Sequence, residues 1–219
     1  MSNKPQLLTE TVSYIKGITE KEFNESKEKN DGKLILTGII QKANTKNANN
    51  RYYPIEGLIR EDRKYQEKIN ENKSWGECDH PDSPTVEFKN VSHRIRRTWW
   101  EGNDLHGDLL ILDGYTPCGT LVAGLIQSGG TVGISSRAVG SVKRANEGYD
   151  IVGDDLNLIS YDIVSENSTP NAVLSLKEGI EIDLDKYPEL RLVKIEQILN
   201  EILNFNEKEV IEKIENELN

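Results

Sequence analysis

Two adjacent serines, Ser135 and Ser136, sit in a run of small and apolar residues, Gly129-Gly130-Thr131-Val132-Gly133-Ile134-Ser135-Ser136-Arg137-Ala138-Val139-Gly140. The run reads as a short buried strand with glycines on both sides. Glycine lets another backbone approach closely and takes turn geometries that other residues avoid. A serine on a rigid strand with bare backbone around it is a place for a nucleophile and an oxyanion site. The plain alternative is a glycine-rich strand that carries two polar residues, and the rest of the chain decides between them.

The chain has 219 residues, enough for one generous domain or one domain with an appendage. Its formal net charge of -10 argues against a general affinity for nucleic acid, which needs a basic footprint. Cys78 and Cys118 lack a metal-type spacing and read as thiols of a reducing compartment rather than a disulfide framework. No apolar run approaches the roughly 18 residues of a membrane span. Met1 to Glu10 lacks the basic and apolar blocks of a signal peptide. The expectation is a soluble intracellular protein without a membrane span.

Residues 1–32 are polar and weakly patterned, and read as a flexible N-terminal segment. The β-rich stretch Leu34 to Ile40 is expected as the first core strand. A helix is expected from Pro54, with Ile55, Leu58, Ile59, Tyr65 and Ile69 on one apolar face. Val91 to Trp100 and Leu105 to Leu112 read as two strands joined by a turn at Glu101-Gly102-Asn103-Asp104. Thr116-Pro117 opens a helix carrying Leu121, Val122, Leu125 and Ile126, which Gly129-Gly130 stops. After the serine strand come a hairpin around Asn146-Glu147-Gly148 and a last core strand, Leu156 to Val164. Residues 33–175 are read as one folded body. Residues 176–219 are read as a linker and a helical appendage, with one apolar stripe from Ile195 to Ile202 and a second from Val210 to Leu218.

The chain has three histidines, His80, His93 and His106. Each is by default a hydrogen-bonded or surface histidine. A metal set would gather Cys78, Asp79, His80 and His93, but this matches no zinc spacing, and no metal or cofactor is expected. Asp162 lies in the last core strand between apolar residues. A carboxylate there either faces solvent or orients a histidine, as the third group of a triad does. The run His93-Arg94-Ile95-Arg96-Arg97 is the one basic cluster of an acidic chain, either a solvated strand face or an attractor of acidic substrates.

Five separated segments then carry a resemblance: Asn49-Asn50-Arg51-Tyr52-Tyr53-Pro54, Gly76-Glu77-Cys78-Asp79-His80-Pro81, Val91-Ser92-His93, Trp99-Trp100-Glu101-Gly102 and Gly133-Ile134-Ser135-Ser136-Arg137. In this order they resemble the prohead core proteases of tailed phages, over roughly residues 30 to 175. Those maturation proteases are similar in fold to herpesvirus assemblin. The resemblance implies an α+β fold with a mainly antiparallel, β-barrel-like body and surrounding helices, to which the apolar stripes of residues 176–219 add the helical C-terminal appendage. It implies a serine endopeptidase with Ser135 as nucleophile and His80 as general base. Ser135 is preferred to Ser136 because an apolar residue precedes the reactive serine in assemblin-like sequences. The assemblins use a second histidine as third member; this chain has none after His106, so Asp162 takes that place, with Glu166 behind it. Arg94, Arg96, Arg97 and Arg137 are candidates to bind the substrate glutamate that such proteases select before the cut. The implied substrates are phage scaffold, core and capsid proteins, and the chain itself, inside the assembling prohead in the bacterial host cytoplasm. Direct nucleic-acid binding is not expected, and self-association as a homo-oligomer is left open. The other reading is an inactive scaffold or core protein that keeps the protease fold.

Overall fold

In the computed structural model the described residues are 4–15, 18–165 and 173–176. They form, in chain order, β1 (Gln6–Ile15), α1 (Glu20–Lys29), β2 (Leu34–Lys42), β3 (Arg51–Tyr52), α2 (Ile55–Asn70), β4 (Trp75–Glu77), β5 (Val91–Glu101), β6 (Asp104–Ile111), α3 (Pro117–Gln127), β7 (Val132–Gly140), β8 (Val142–Arg144), β9 (Asp150–Val152), β10 (Asn157–Val164) and β11 (Val173–Leu176). Eight strands make one sheet in the order β10-β7-β1-β11-β2-β6-β5-β4, and β3-β9-β8 make a small second one. Pairing is mostly antiparallel; β1–β11 and β3–β9 are parallel.

The serine strand β7 lies inside the large sheet, between β10 and β1. Ile134 and Ala138 point into the core, and Ser135 and Arg137 occupy the other face, both fully buried. Strand neighbours alternate faces, so the two serines point opposite ways.

The described part of residues 1–32, where a flexible segment is expected, forms a strand and a helix. Gln6–Ile15 is an interior strand that pairs with β7 along its length, from Gln6 opposite Gly140 to Ile15 opposite Val132. Leu8 and Val12 face the core, and Glu10 between them is buried too. That one carboxyl hides the alternation from a hydropathy reading. Glu20–Lys29 is a helix started by a capping box: Thr19 Oγ1 accepts from the Glu22 amide, and the Glu22 carboxylate accepts from the Thr19 amide at 2.7 Å. Its Phe23 is buried in the core.

The buried Glu10 explains the Asn49–Pro54 stretch. Asn49 Nδ2 donates to Glu10 Oε2 at 2.9 Å and to the Thr9 carbonyl at 3.1 Å, and Arg51 Nη1 donates to the same carbonyl at 3.1 Å. Asn50 Nδ2 donates to the Gly148 carbonyl, so the stretch ties β1 to the β8–β9 hairpin. Burial pushes the Glu10 carboxyl up to about 7, against the lowering effects of Asn49, Arg51 and Asn47. An acid raised in the folded state binds more protons folded than unfolded. Stability is then lost as pH climbs from the ordinary 4.5 to about 7. Glu10→Gln, isosteric and uncharged, is expected to raise stability by about 2–3 kcal/mol at pH 8 and to change little at pH 4. Denaturant midpoints at the two pH values test this; equal midpoint changes at both would refute it.

The large sheet does not close into a barrel. Its edges, β10 and β4, meet at an isolated parallel bridge, Cys78 with Ile163, and no ladder follows. The reason is local. β4 is three residues long, and Asp79 then turns the chain in the left-handed region at φ 61°, which Asp tolerates better than most residues. Helix α2 spans this seam. Glu61 accepts from the Leu158 amide of β10, while Asp62 accepts from Thr98 Oγ1 and Trp100 Nε1 of β5. Helix α3 starts at Thr116 as expected, but buries only Val122 and Ile126 of its four large apolar residues. Leu121 and Leu125, one step back round the helix, are exposed.

The linker and helical appendage expected from residue 176 onward lie outside the described residues, apart from Leu176, which ends β11. No helix among the described residues is long and apolar enough to cross a membrane.

Candidate active site

Ser135 and Asp162 are direct cross-strand partners on β7 and β10. That register sets two polar side chains on one face a single strand spacing apart. The third group comes from the seam. Gly76 in β4 sits so close to the Tyr161 carbonyl and the His93 ring that a Cβ there would overlap both. The Asp79 turn follows, its amide bonded to the Ile163 carbonyl at 2.7 Å, and delivers His80 over the two strands. His80 Nε2 lies 2.5 Å from Ser135 Oγ, and His80 Nδ1 lies 3.0 Å from Asp162 Oδ2. The order Ser–His–Asp is that of a nucleophile, its base and the base's orienter. Ser135 and Asp162 are fully buried, and His80 keeps 21% of its side chain exposed, so the imidazole marks the open side.

Ser136 faces away from this group. Its Oγ accepts from Gln41 Nε2 at 2.9 Å in the core. Register shifts flank the serine strand on both sides, at Thr11/Ser13 in β1 and at Leu158/Ser160 in β10. Such bulges recur beside active sites because they re-aim neighbouring side chains.

Asp162 is held from three directions. Its Oδ2 accepts from His80 and from Arg137 Nε at 2.8 Å, and its Oδ1 accepts from the Glu77 amide at 3.1 Å. Burial alone would push this carboxyl up. The His80 hydrogen bond, the Arg137 charge, the Glu77 amide and Ser160 outweigh that, and hold it below its ordinary 3.8. It stays ionised at neutral pH, as an orienter must.

Arg137 is therefore not the substrate-binding cation expected from the sequence. It has no exposed surface, and its guanidinium is taken up by Asp162 and Glu77 of its own chain. Arg97 is partly committed as well: Nε donates to Asp108 at 2.6 Å, and the guanidinium stacks over Trp99. Arg94 donates to Asn72 and, with Trp75, Lys33 and Tyr115, lines a cavity of about 310 Å³. Arg96 is half-buried on β5.

The other histidines stay outside the group. His93 is fully buried, and burial pushes it down to about 4, so it is neutral. His106 stacks on Trp99 at the far end of the β5–β6 hairpin. Among the described residues no group of three or more His, Cys, Asp or Glu is placed to hold a metal ion. Glu166, named as a reserve for Asp162, lies outside the described residues.

Glu77 is the residue of this site that sequence reasoning missed. Its side chain is fully buried, pairs with Arg137, and accepts from the Glu87 amide at 3.0 Å and from Asn90 Nδ2 at 3.3 Å. Its signal was placement alone, three residues before His80 in Glu77-Cys78-Asp79-His80.

Comparison with known proteins identifies the family of the chain. The prohead core protein protease of Enterobacteria phage T4 is 33% identical over 183 residues, spanning 80% of this chain and 86% of that protein. Among solved structures, the capsid assembly protease gp21 of bacteriophage T4 superposes with a TM-score of 0.65 at 30% identity, covering 75% of this chain and 99% of that one. The family model described as prohead core protein serine protease matches residues 8–183. The chain belongs to the prohead core protein serine protease family.

Proposed function

We propose that this protease is a serine endopeptidase acting through Ser135, His80 and Asp162 on scaffold, core and capsid proteins of an immature phage head. The observation that carries the reading is the continuous chain from Ser135 Oγ to His80 at 2.5 Å and on to Asp162 at 3.0 Å. His80 takes the Ser135 proton as the hydroxyl attacks the peptide carbonyl, and returns it to the leaving amine. Asp162 fixes the tautomer with Nδ1 protonated and stabilises the imidazolium that forms. Water then hydrolyses the acyl-enzyme by the same relay. An inactive structural protein has no need for three polar groups aligned across a strand pair and a seam, which disfavours that alternative.

The test is to incubate the purified protein with its co-expressed scaffold and sequence the new termini, with and without a serine-directed fluorophosphonate. Cleavage blocked by label on Ser135 supports the reading; cleavage that continues with Ser135 fully labelled sinks it.

For the glutamate before the cut, Arg94 and Arg96 are the remaining candidates, and Arg94 is favoured by its cavity beside Trp75, two residues along β4 from Glu77. A guanidinium receives a carboxylate in two-point geometry. Arg94→Glu should lower cleavage of a Leu-x-Glu peptide about 10-fold more than of its Gln analogue. Equal losses on both peptides would make Arg94 structural.

Self-processing needs exposed sites of the same pattern. Leu8-Thr9-Glu10 is unsuitable in the folded chain, since Glu10 is buried in an interior strand. Ile59-Arg60-Glu61 is held in α2, with Glu61 buried. Thr19 and Glu20 of Ile18-Thr19-Glu20 are exposed at the start of α1, while Ile18 packs partly against the core, and Leu199-Asn200-Glu201 lies outside the described residues. Trimming after Glu20, seen by intact-mass spectrometry before any cut at Glu10 and absent from Ser135→Ala, is the expected order.

A further inference from the structure

Arg137 is a buried cation that the proposed triad does not itself use. A guanidinium out of water is tolerated only when paired and hydrogen-bonded throughout. Nε donates to Asp162 Oδ2 at 2.8 Å. Nη2 donates to the Glu77 carboxylate and to Ser160 Oγ at 3.1 Å. Nη1 donates to the carbonyls of Ser83 at 2.6 Å and Thr85 at 3.4 Å, in the loop that follows His80. Glu77 enters twice, since its amide donates to the other oxygen of Asp162.

We infer that Arg137 and Glu77 are a positioning pair for the proposed triad: Arg137 locks the Asp162 carboxylate on His80 Nδ1, and the Arg137–Glu77 pair sets the net charge facing the imidazole. This rests on the triad reading. Neither residue meets Ser135 Oγ; both act through Asp162. Without the Nε–H the carboxylate has a soft torsion to turn about, and loses the buried donor that fixes the oxygen shared with His80. Lysine does not replace the fork, because one ammonium cannot span Asp162, Glu77 and two carbonyls in one plane.

The charges facing His80 are few. Asp162 comes from β10, Arg137 from β7 and Glu77 from β4, and Asp79 and Asp82 flank it on its own loop. His93 from β5 and Tyr65 from α2 sense the Asp162 charge but stay uncharged, both held neutral by burial. The buried cluster of two carboxylates and one guanidinium thus carries a net charge near -1. Removing the cation favours imidazolium, and removing the Glu77 charge disfavours it.

The experiment is kcat and KM against pH on a fluorogenic Leu-Thr-Glu peptide, for wild type, Arg137→Gln, Arg137→Lys and Glu77→Gln. Arg137→Gln is expected to lower kcat about 100-fold with little change in KM. Its acid-side midpoint of kcat/KM should move up by about one pH unit, and that of Glu77→Gln should move down. Arg137→Lys should keep the midpoint of wild type while losing about 10-fold in kcat. Coincident midpoints in all four proteins, or losses confined to KM, would overturn the inference. So would failure of both conservative variants to fold by circular dichroism, which would assign the pair to the scaffold alone. Cleavage retained by Ser135→Ala or His80→Ala would instead remove the triad reading, whatever these profiles show.

Discussion

Ser135→Ala is expected to leave a folded protein whose cleavage of a Leu-x-Glu substrate falls by roughly four to six orders of magnitude in kcat, and His80→Ala is expected to fall equally far. A nucleophile and its base act as one unit, so losing either costs nearly as much as losing both. What remains is the modest acceleration from binding and oriented backbone dipoles. The fold should tolerate the serine change, since the hydroxyl makes its contact with a partly exposed imidazole rather than with a core group. Ser136→Ala is the informative control. It strands Gln41 Nε2 in the core, which costs about 1–3 kcal/mol of stability. Its kcat should stay within a few-fold of wild type, because its side chain points away from His80. Peptide cleavage followed by chromatography, beside a thermal melt of each variant, reads both effects. An inactive but stable Ser136→Ala beside an active Ser135→Ala would shift the nucleophile by one position and contradict the geometry.

The serine strand, the helix after Pro54, the β5–β6 hairpin and the Thr116-Pro117 helix start were all legible, because each has a local cause in period, capping or turn chemistry. His80 and Ser135 were legible through motif resemblance, and Asp162 through the oddity of a carboxylate in an apolar strand. Other features were not, Glu77 and helix α1 among them. β1 was hidden because Glu10 occupies a core-facing position, and its partners Asn49 and Arg51 lie some 40 residues away. Arg137 read as a candidate to bind the substrate glutamate, because sequence shows its charge but not that Glu77 and Asp162 surround it. The open seam was missed because barrel closure depends on whether two edges pair. Here the brevity of β4 and the left-handed Asp79 decide that, at single-residue scale. For β1 and Arg137 the missing information was a long-range polar pairing, to which hydrophobic periodicity is blind.

Asp162→Asn is expected to lower kcat about 10⁴-fold, less than the serine variant, with KM little changed. The cause is donor counting. All three partners of the carboxylate, His80 Nδ1, Arg137 Nε and the Glu77 amide, present hydrogens to it in the working tautomer. An asparagine has one acceptor oxygen, and its NH₂ must face one of those donors. If it faces Oδ2's partners, the imidazole is driven to the other tautomer, with Nε2 protonated and unable to accept the Ser135 proton. If it faces the Glu77 amide, a buried donor is left opposed instead. Either arrangement also halves the negative charge around Arg137, so a stability loss of about 3–5 kcal/mol is expected at neutral pH. The pH dependence carries its own sign. A carboxyl held below its ordinary 3.8 contributes stability that is complete above that value and is lost as pH falls through the folded-state value. The melting-temperature gap between wild type and Asp162→Asn should therefore be widest near neutrality and narrow below pH 3.8. Full activity in a well-folded Asp162→Asn would remove this residue from the triad and leave His80 oriented by something else, while a gap that grows on acidification would show that the carboxyl is protonated in the native state.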